Sequence, residues 1–179
     1  MNVWPRLARD FHRLRTAKGW SRPRALYEAL ILDNGFQALV LHRAAYTLKS
    51  WRVPLLPALL RRLGIALCAI DVLPIARIGG GCVIAHGLGT VIGGYSVVGE
   101  DCTILQGVTL GEARFDETAC PRVGDRVTLG AGSTLLGEIT VGDDVMVAAG
   151  AVVLEDVPAG AVVAGVPARV ISRREQPRR

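Results

Sequence analysis

The sequence predicts a mainly β protein: a parallel β-helix of six-residue repeats, preceded by a short α-helical region. Three observations carry that reading. Aliphatic residues recur every six positions from residue 72 onward, glycine follows most of them, and the first 67 residues show helical spacing instead.

The repeat starts with Val72, Ile78 and Ile84. After a two-residue slip it runs through Ile92, Val98, Ile104 and Leu110, and after a longer break through Val123, Leu129, Leu135, Val141, Val147 and Val153. Gly79, Gly93, Gly99, Gly111, Gly124, Gly130 and Gly142 directly follow members of this series, and small or β-branched residues such as Ser96, Cys102, Val108 and Ser133 stand four positions after them. A hexad suits a short strand with one side chain inward, then a tight corner where glycine accepts φ > 0. Three such faces close a triangular coil, and stacked coils pair their backbones around an interior aliphatic column. Thirteen hexad starts, three per turn, predict four to five coils. The break from Leu110 to Val123 is 13 residues, two hexads plus one, and its polar segment 112–122 holds Arg114, Asp116 and Glu117. It is expected as an extruded loop with a functional role.

Residues 1–67 form the helical region, 68–171 the β-helix domain with its loop 112–122, and 172–179 a basic tail. Arg24–Asp33 and Phe36–Ser50 are helical candidates separated by Asn34-Gly35, a natural helix stop. Leu56, Leu59, Leu60, Leu63 and Leu67 make an apolar stripe after Pro54 and Pro57. That stripe is expected to pack on the β-helix rather than lie on a membrane.

Half of the residues are hydrophobic but only 5% are aromatic, which fits stacked small side chains. Residues 1–67 carry twelve Lys/Arg to three Asp/Glu, whereas 68–171 carry five to twelve. The basic front reads first as a solvated helical surface; nucleic acid is not an expected partner, and peripheral membrane contact is the minor alternative. Cys68, Cys82, Cys102 and Cys120 show no CxxC or metal spacing, so no metal is expected. With no signal peptide and no uncharged apolar run of about 18 residues, the expected location is a reducing cytoplasm.

Of three histidines, His12 sits in the basic front and His42 in a helical stretch. His86 stands inside the repeat, at a position otherwise given to small residues, between Ala85 and Gly87 with Gly89 beyond. An accessible imidazole there suits a general base near neutral pH. Asp71 precedes it by 15 residues, close to one coil, and a carboxylate there would hold the imidazole tautomer.

Asp71-Val-Leu-Pro-Ile-Ala-Arg-Ile-Gly-Gly-Gly, His86-Gly-Leu-Gly-Thr-Val-Ile-Gly, Ile104-Leu-Gln-Gly-Val-Thr-Leu-Gly, Gly130-Ala-Gly-Ser-Thr-Leu-Leu-Gly and Ala164-Gly-Val-Pro-Ala-Arg-Val resemble the serine acetyltransferase branch of the hexapeptide-repeat acyltransferases. The resemblance covers about residues 71–171, and Asn34-Gly-Phe-Gln-Ala-Leu resembles the end of that family's helical domain. It implies a left-handed coil, an exception to the right-handed crossover rule. It also implies a homotrimer, possibly a dimer of trimers, with sites between subunits and acetyl-CoA as donor. By position, Asp71 and His86 match the catalytic pair, and Gly111, Ala131 and Ala149 the CoA groove. Arg169, with Arg173 and Arg174, is the candidate for the CoA phosphates.

The sequence departs from that family around the acceptor. Ala85 stands where the family has Asp before its histidine, and Ala119-Cys120-Pro121 replaces an Arg-His-Pro run. Ala85, Cys120 and Arg122 are therefore the candidate acceptor-side residues, with Arg122 facing an anionic acceptor or merely solvent. The Pro-Arg-Arg terminus replaces the family's Ile, so no cysteine-synthase complex is expected. The loop and short front look like acetyltransferases of exopolysaccharide pathways, such as the colanic-acid enzymes. The expected activity is O-acetylation of a hydroxyl on a small metabolite, sugar or glycan precursor, because a site lacking its polar partners loses affinity for an amino acid. Serine O-acetylation and a non-catalytic trimeric scaffold are the alternatives.

Overall fold

The computed structural model describes residues 3–114 and 118–173. Four α-helices come first: α1 (Val3–Lys18), α2 (Arg22–Tyr27), α3 (Asn34–Ser50) and α4 (Leu56–Cys68), with a π-helical turn Glu28–Leu32 after α2. Asp33 caps α3, its Oδ1 accepting from the Phe36 N–H at 2.8 Å. Asn34-Gly35, expected as a helix stop, is thus the first turn of α3. Gly35 is required there, because a Cβ would land on the Ile84 carbonyl of the coil beneath.

The coil follows as short strands on three faces. The first face stacks β1 (Asp71–Val72), β4 (Val91–Ile92), β7 (Thr109–Gly111), β10 (Thr134–Leu136) and β13 (Val152–Val153). The second stacks β2 (Arg77–Ile78), β5 (Val97–Val98), β8 (Arg122–Val123) and β11 (Thr140–Val141). The third stacks β3 (Val83–Ala85), β6 (Thr103–Leu105), β9 (Thr128–Leu129), β12 (Met146–Val147) and β14 (Ala161–Gly165), closed by the antiparallel β15 (Ala168–Arg173). Every other pairing is parallel, and each of the thirteen hexad residues lies inside, none more than 6% exposed. Ser96, Cys102, Val108, Val127, Ser133, Val145 and Ala151 fill the interior corners, fully buried.

Register explains both irregularities of the repeat. Asp71 pairs with Val91, a 20-residue coil, whereas Thr134 pairs with Val152 over 18. The two extra residues sit in the corner after His86. Val98 pairs with Val123, so the chain advances only one face between Leu110 and Val123. The break is one hexad plus seven inserted residues, not two hexads plus one. Of the loop, Asp116 and Glu117 lie outside the described residues.

The glycines that follow the hexad residues do not serve positive φ. Left-handed corners are occupied by Gly107, Gly132 and Gly150 along one edge, and along another by Gly81, Asp101, Arg126, Asp144 and Gly160. Gly79, Gly99 and Gly124 matter for close stacking instead. A Cβ at Gly99 would collide with the Gly124 carbonyl, and one at Gly130 would lie 2.5 Å from the Ala149 nitrogen.

The helical front is locked to this coil by ionic contacts at long sequence range. Buried Arg43 donates Nε and Nη2 to Asp10 at 2.6 and 3.0 Å, and also reaches the carbonyls of Ile78 (3.2 Å) and Gly79 (2.8 Å). Asp10, fully buried, accepts in addition from the Cys82 N–H at 3.0 Å. Arg13 donates to the Gly81 and Cys102 carbonyls, and Arg9 pairs with Glu100 and Asp101. Arg9, Arg13 and Arg43 are therefore docked on the acidic coil, while Lys18, Arg22, Arg24, Lys49, Arg52 and Arg62 are exposed as a solvated surface would be. Helix α4 corrects the stripe: Pro57, Gly64 and Cys68 are its buried face, while Leu56, Leu59, Leu63 and Leu67 are 40%, 54%, 39% and 70% exposed. Small residues let α4 lie close on α3, which turns the leucines outward. No described helix is long and apolar enough to cross a membrane.

Candidate active site

His86 occupies the corner between the third and first faces, directly after β3. Its φ is +56°, and its carbonyl accepts from the Leu88 N–H at 2.5 Å. The imidazole is exposed, and Leu88 beside it is 61% exposed. Positive φ recurs at Asp101, Arg126 and Asp144, so here it reflects corner geometry rather than catalytic strain. Its effect is to project the ring from the edge of the prism, into solvent.

That edge continues downward in small residues. Gly107 N–H bonds the Leu88 carbonyl (2.9 Å), Gly132 N–H the Gln106 carbonyl (2.8 Å) and Gly150 N–H the Ala131 carbonyl (2.8 Å). Ala131 and Ala149, the two alanines expected in a CoA groove, thus share an edge with His86, one coil apart. Low side chains along one edge leave the backbone accessible to an extended ligand. Gly111 is elsewhere: it ends β7 at the far end of the first face, where its carbonyl accepts from Gly137 at 3.0 Å. Arg169 is exposed on β15, 3.6 Å from Glu155. Arg173 is likewise exposed on β15, and Arg174 lies outside the described residues.

Asp71 is not joined to His86 by any hydrogen bond among the described residues. Its two oxygens accept from Arg61 Nε at 2.6 Å and Nη2 at 2.7 Å, a bidentate pair that raises the Arg61 pKa. Arg61 was not singled out in the sequence. It turns inward from α4, on the side of Pro57 and Gly64, toward β1. The signal available was only its place one turn after Pro57.

Ala85 is half-buried at the end of β3, paired with Leu105. Cys120 is buried, its Sγ 3.3 Å from where a Gly93 Cβ would be. Arg122 projects outward from the second face. These acceptor-side candidates do not converge with His86 on one edge of a single chain: Ala85 adjoins it, whereas Cys120 and Arg122 lie across the corner between the first and second faces. His42 is excluded from chemistry by burial, which holds its pKa down to about 3 and leaves its Nδ1 without a partner. All four cysteines are free, and no group of described His, Cys, Asp and Glu residues has the makings of a metal site.

Comparison with known proteins adds to this geometry. The bacterial transferase hexapeptide (six repeats) family matches residues 120–155. A serine acetyltransferase of Synechococcus elongatus is 45% identical over 147 residues, covering 82% of this chain and 60% of that protein. One from Helicobacter pylori is 41% identical over 148 residues, covering 82% of this chain and 86% of that protein. The crystal structure of Brucella abortus serine acetyltransferase in complex with coenzyme A superposes with a TM-score of 0.88 at 33% identity, over 95% of this chain and 68% of that one. The left-handed parallel β-helix expected from the repeat and the resemblance is thereby borne out. The chain spans 60%, 47% and 63% of the lengths of three curated relatives from a cyanobacterium, a plant and a second cyanobacterium.

Proposed function

This chain belongs to the serine acetyltransferase family of hexapeptide-repeat transferases, and from that premise we propose that it transfers an acetyl group from acetyl-CoA to the hydroxyl of L-serine. The observation that carries the reading is the edge on which an exposed imidazole at His86 stands above Ala131 and Ala149. The relatives named above are serine acetyltransferases, which favours serine over the sugar or glycan acceptor expected from the loop sequence. The missing Asp at Ala85 and the Ala119-Cys120-Pro121 run then alter how serine is held rather than replace it as acceptor.

In this mechanism the acceptor hydroxyl lies between His86 and the thioester. His86 takes the hydroxyl proton as the oxygen attacks the acetyl carbonyl carbon. The tetrahedral adduct collapses with cleavage of the carbon–sulfur bond, and the proton passes from the imidazolium to the departing thiolate. The pantetheine arm runs down the edge past Ala131 and Ala149, and Arg169 with Arg173 supplies positive charge for the CoA phosphates. Asp71 carries Arg61 on both oxygens, so any help it gives to the imidazole comes through the lone pairs Arg61 leaves. The reading places the protein in the cytoplasm as a homotrimer, whose neighbouring chains bring Cys120 and Arg122 of one copy toward His86 of another. Thiol release from acetyl-CoA tests it: turnover is expected with L-serine and not with homoserine, nucleotide sugars or oligosaccharides. Release with a sugar alone would restore the other acceptor, and no release with any acceptor together with no CoA binding would favour a scaffold.

A further inference from the structure

Helix α2 and the π-helical turn after it face their small residues inward and their large apolar ones outward. Ala25 and Ala29, four residues apart, are 1% and 0% exposed, and Ala29 packs with Leu14 of α1 and Phe36 of α3. Leu26, Tyr27, Leu30, Ile31 and Leu32 are each 52–60% exposed. Leu26 neighbours Leu30 at i,i+4, as Tyr27 does Ile31, so the exposed side chains make one continuous apolar strip. Single exposed apolar residues are ordinary on a soluble protein, whereas a contiguous strip marks a surface that meets a partner. None of these residues takes part in the acetyl transfer proposed above.

The strip lies on the basic end of the molecule. The helical front exposes Lys18, Arg22, Arg24, Lys49, Arg52 and Arg62, and none of its three carboxylates is exposed. Asp10 is buried against Arg43, Asp33 caps α3, and half-buried Glu28 pairs with Arg24 at 3.3 Å. Lys18 and Arg22, at the end of α1 and the start of α2, form no ion pair among the described residues and flank the strip. A second copy docking through the same strip would set these cations against their own images. An anionic lipid surface answers both features at once: its headgroups meet the cations, and its acyl chains take up the leucines and the isoleucine. Tyr27, with an apolar ring and a polar tip, suits the boundary between the two layers.

We propose that α2 and the π-helical turn are a membrane-contact surface, through which the protein rests reversibly on an anionic bilayer. The contact is peripheral: the strip lies in the plane of the interface, and no described helix is long and apolar enough to cross it. The same field that draws in the basic front repels the acidic coil, so the coil stands away from the bilayer. The inference concerns where the protein sits and is independent of the acceptor it acetylates.

Co-sedimentation of the full chain with vesicles tests it, using phosphatidylcholine alone and phosphatidylcholine with about 30% phosphatidylglycerol. The chain should pellet with the anionic vesicles, and about tenfold or more weakly with the neutral ones. Leu26→Ser/Ile31→Ser should weaken the anionic binding about tenfold or more, since both side chains already face water and their loss leaves the core intact. Lys18→Gln and Arg22→Gln should each weaken it about fivefold at low salt and have no effect at about 0.5 M salt. Leu154→Ser, which removes a leucine 50% exposed on the coil, should leave it unchanged. No pelleting of the unmodified chain with anionic vesicles, or equal pelleting of Leu26→Ser/Ile31→Ser, would overturn the proposal. A smaller oligomer for that variant in lipid-free sedimentation velocity would give the strip to a second copy and overturn it equally.

Discussion

Replacing Arg43 by Met removes the cation at the junction of α1, α3 and the coil. The substitution strands the Asp10 carboxylate, fully buried, with only neutral backbone N–H donors of the coil, at Cys82 and Gly81. It also takes donors from the Ile78 and Gly79 carbonyls. Breaking a buried pair from one side costs about 3–5 kcal/mol, because the surviving charge keeps its desolvation penalty. Burial already pushes the Asp10 pKa up against the pull of Arg43, the direction expected for a carboxylate that depends on its partner. With a urea m-value of about 2 kcal/mol/M, the midpoint should fall by about 2 M. Tryptophan fluorescence reports it well, since Trp4, Trp20 and Trp51 all lie in the helical front. In the double variant Asp10→Leu/Arg43→Met no charge is left unpaired, so it should recover about 2 kcal/mol or more of that loss. A midpoint shift under about 0.5 M for Arg43→Met, or strictly additive single costs, would refute the argument.

Glycine stacking and histidine burial give further tests. Gly99→Ala drives a Cβ into the Gly124 carbonyl and should cost about 1–3 kcal/mol or more. Gly132→Ala, at φ +67° in open space, should cost only about 1–2 kcal/mol of backbone strain, and urea midpoints of the two should rank in that order. His42 is buried with its pKa depressed to about 3, so it stays neutral in the folded state while the unfolded chain takes up a proton below about 6.5. The stability it supports is present above that value and is lost as pH falls, by about 1.4 kcal/mol per unit. Between pH 6 and 5 the decline should flatten in His42→Gln; equal slopes would remove His42 as its source.

The coil was legible because a hexad places one side chain inward per face, and nothing in the packing competes with that period. All thirteen inward residues follow from spacing alone. The role of the glycines was not, since a missing Cβ serves positive φ and close approach equally well, and only the rung above Gly99 decides between them. The orientation of α4 was hidden for a related reason: Pro57, Gly64 and Cys68 carry little hydrophobicity but permit close approach, and they outweigh the leucines. Asp10 and Arg43 are 33 residues apart in separate helices, with no local pattern joining them. At the site, the projection of His86 followed from its Gly-rich corner. The bond from Arg61 to Asp71 did not, because it depends on how α4 turns over the mouth of the coil.

The most direct test of the account is thiol release from acetyl-CoA with L-serine by the unmodified protein and by His86→Ala, alongside CoA binding by both. Loss of the base should lower kcat by about 10²–10⁴-fold while CoA affinity is retained. A variant that releases thiol at a rate near that of the unmodified protein would contradict the assignment of His86 as the base.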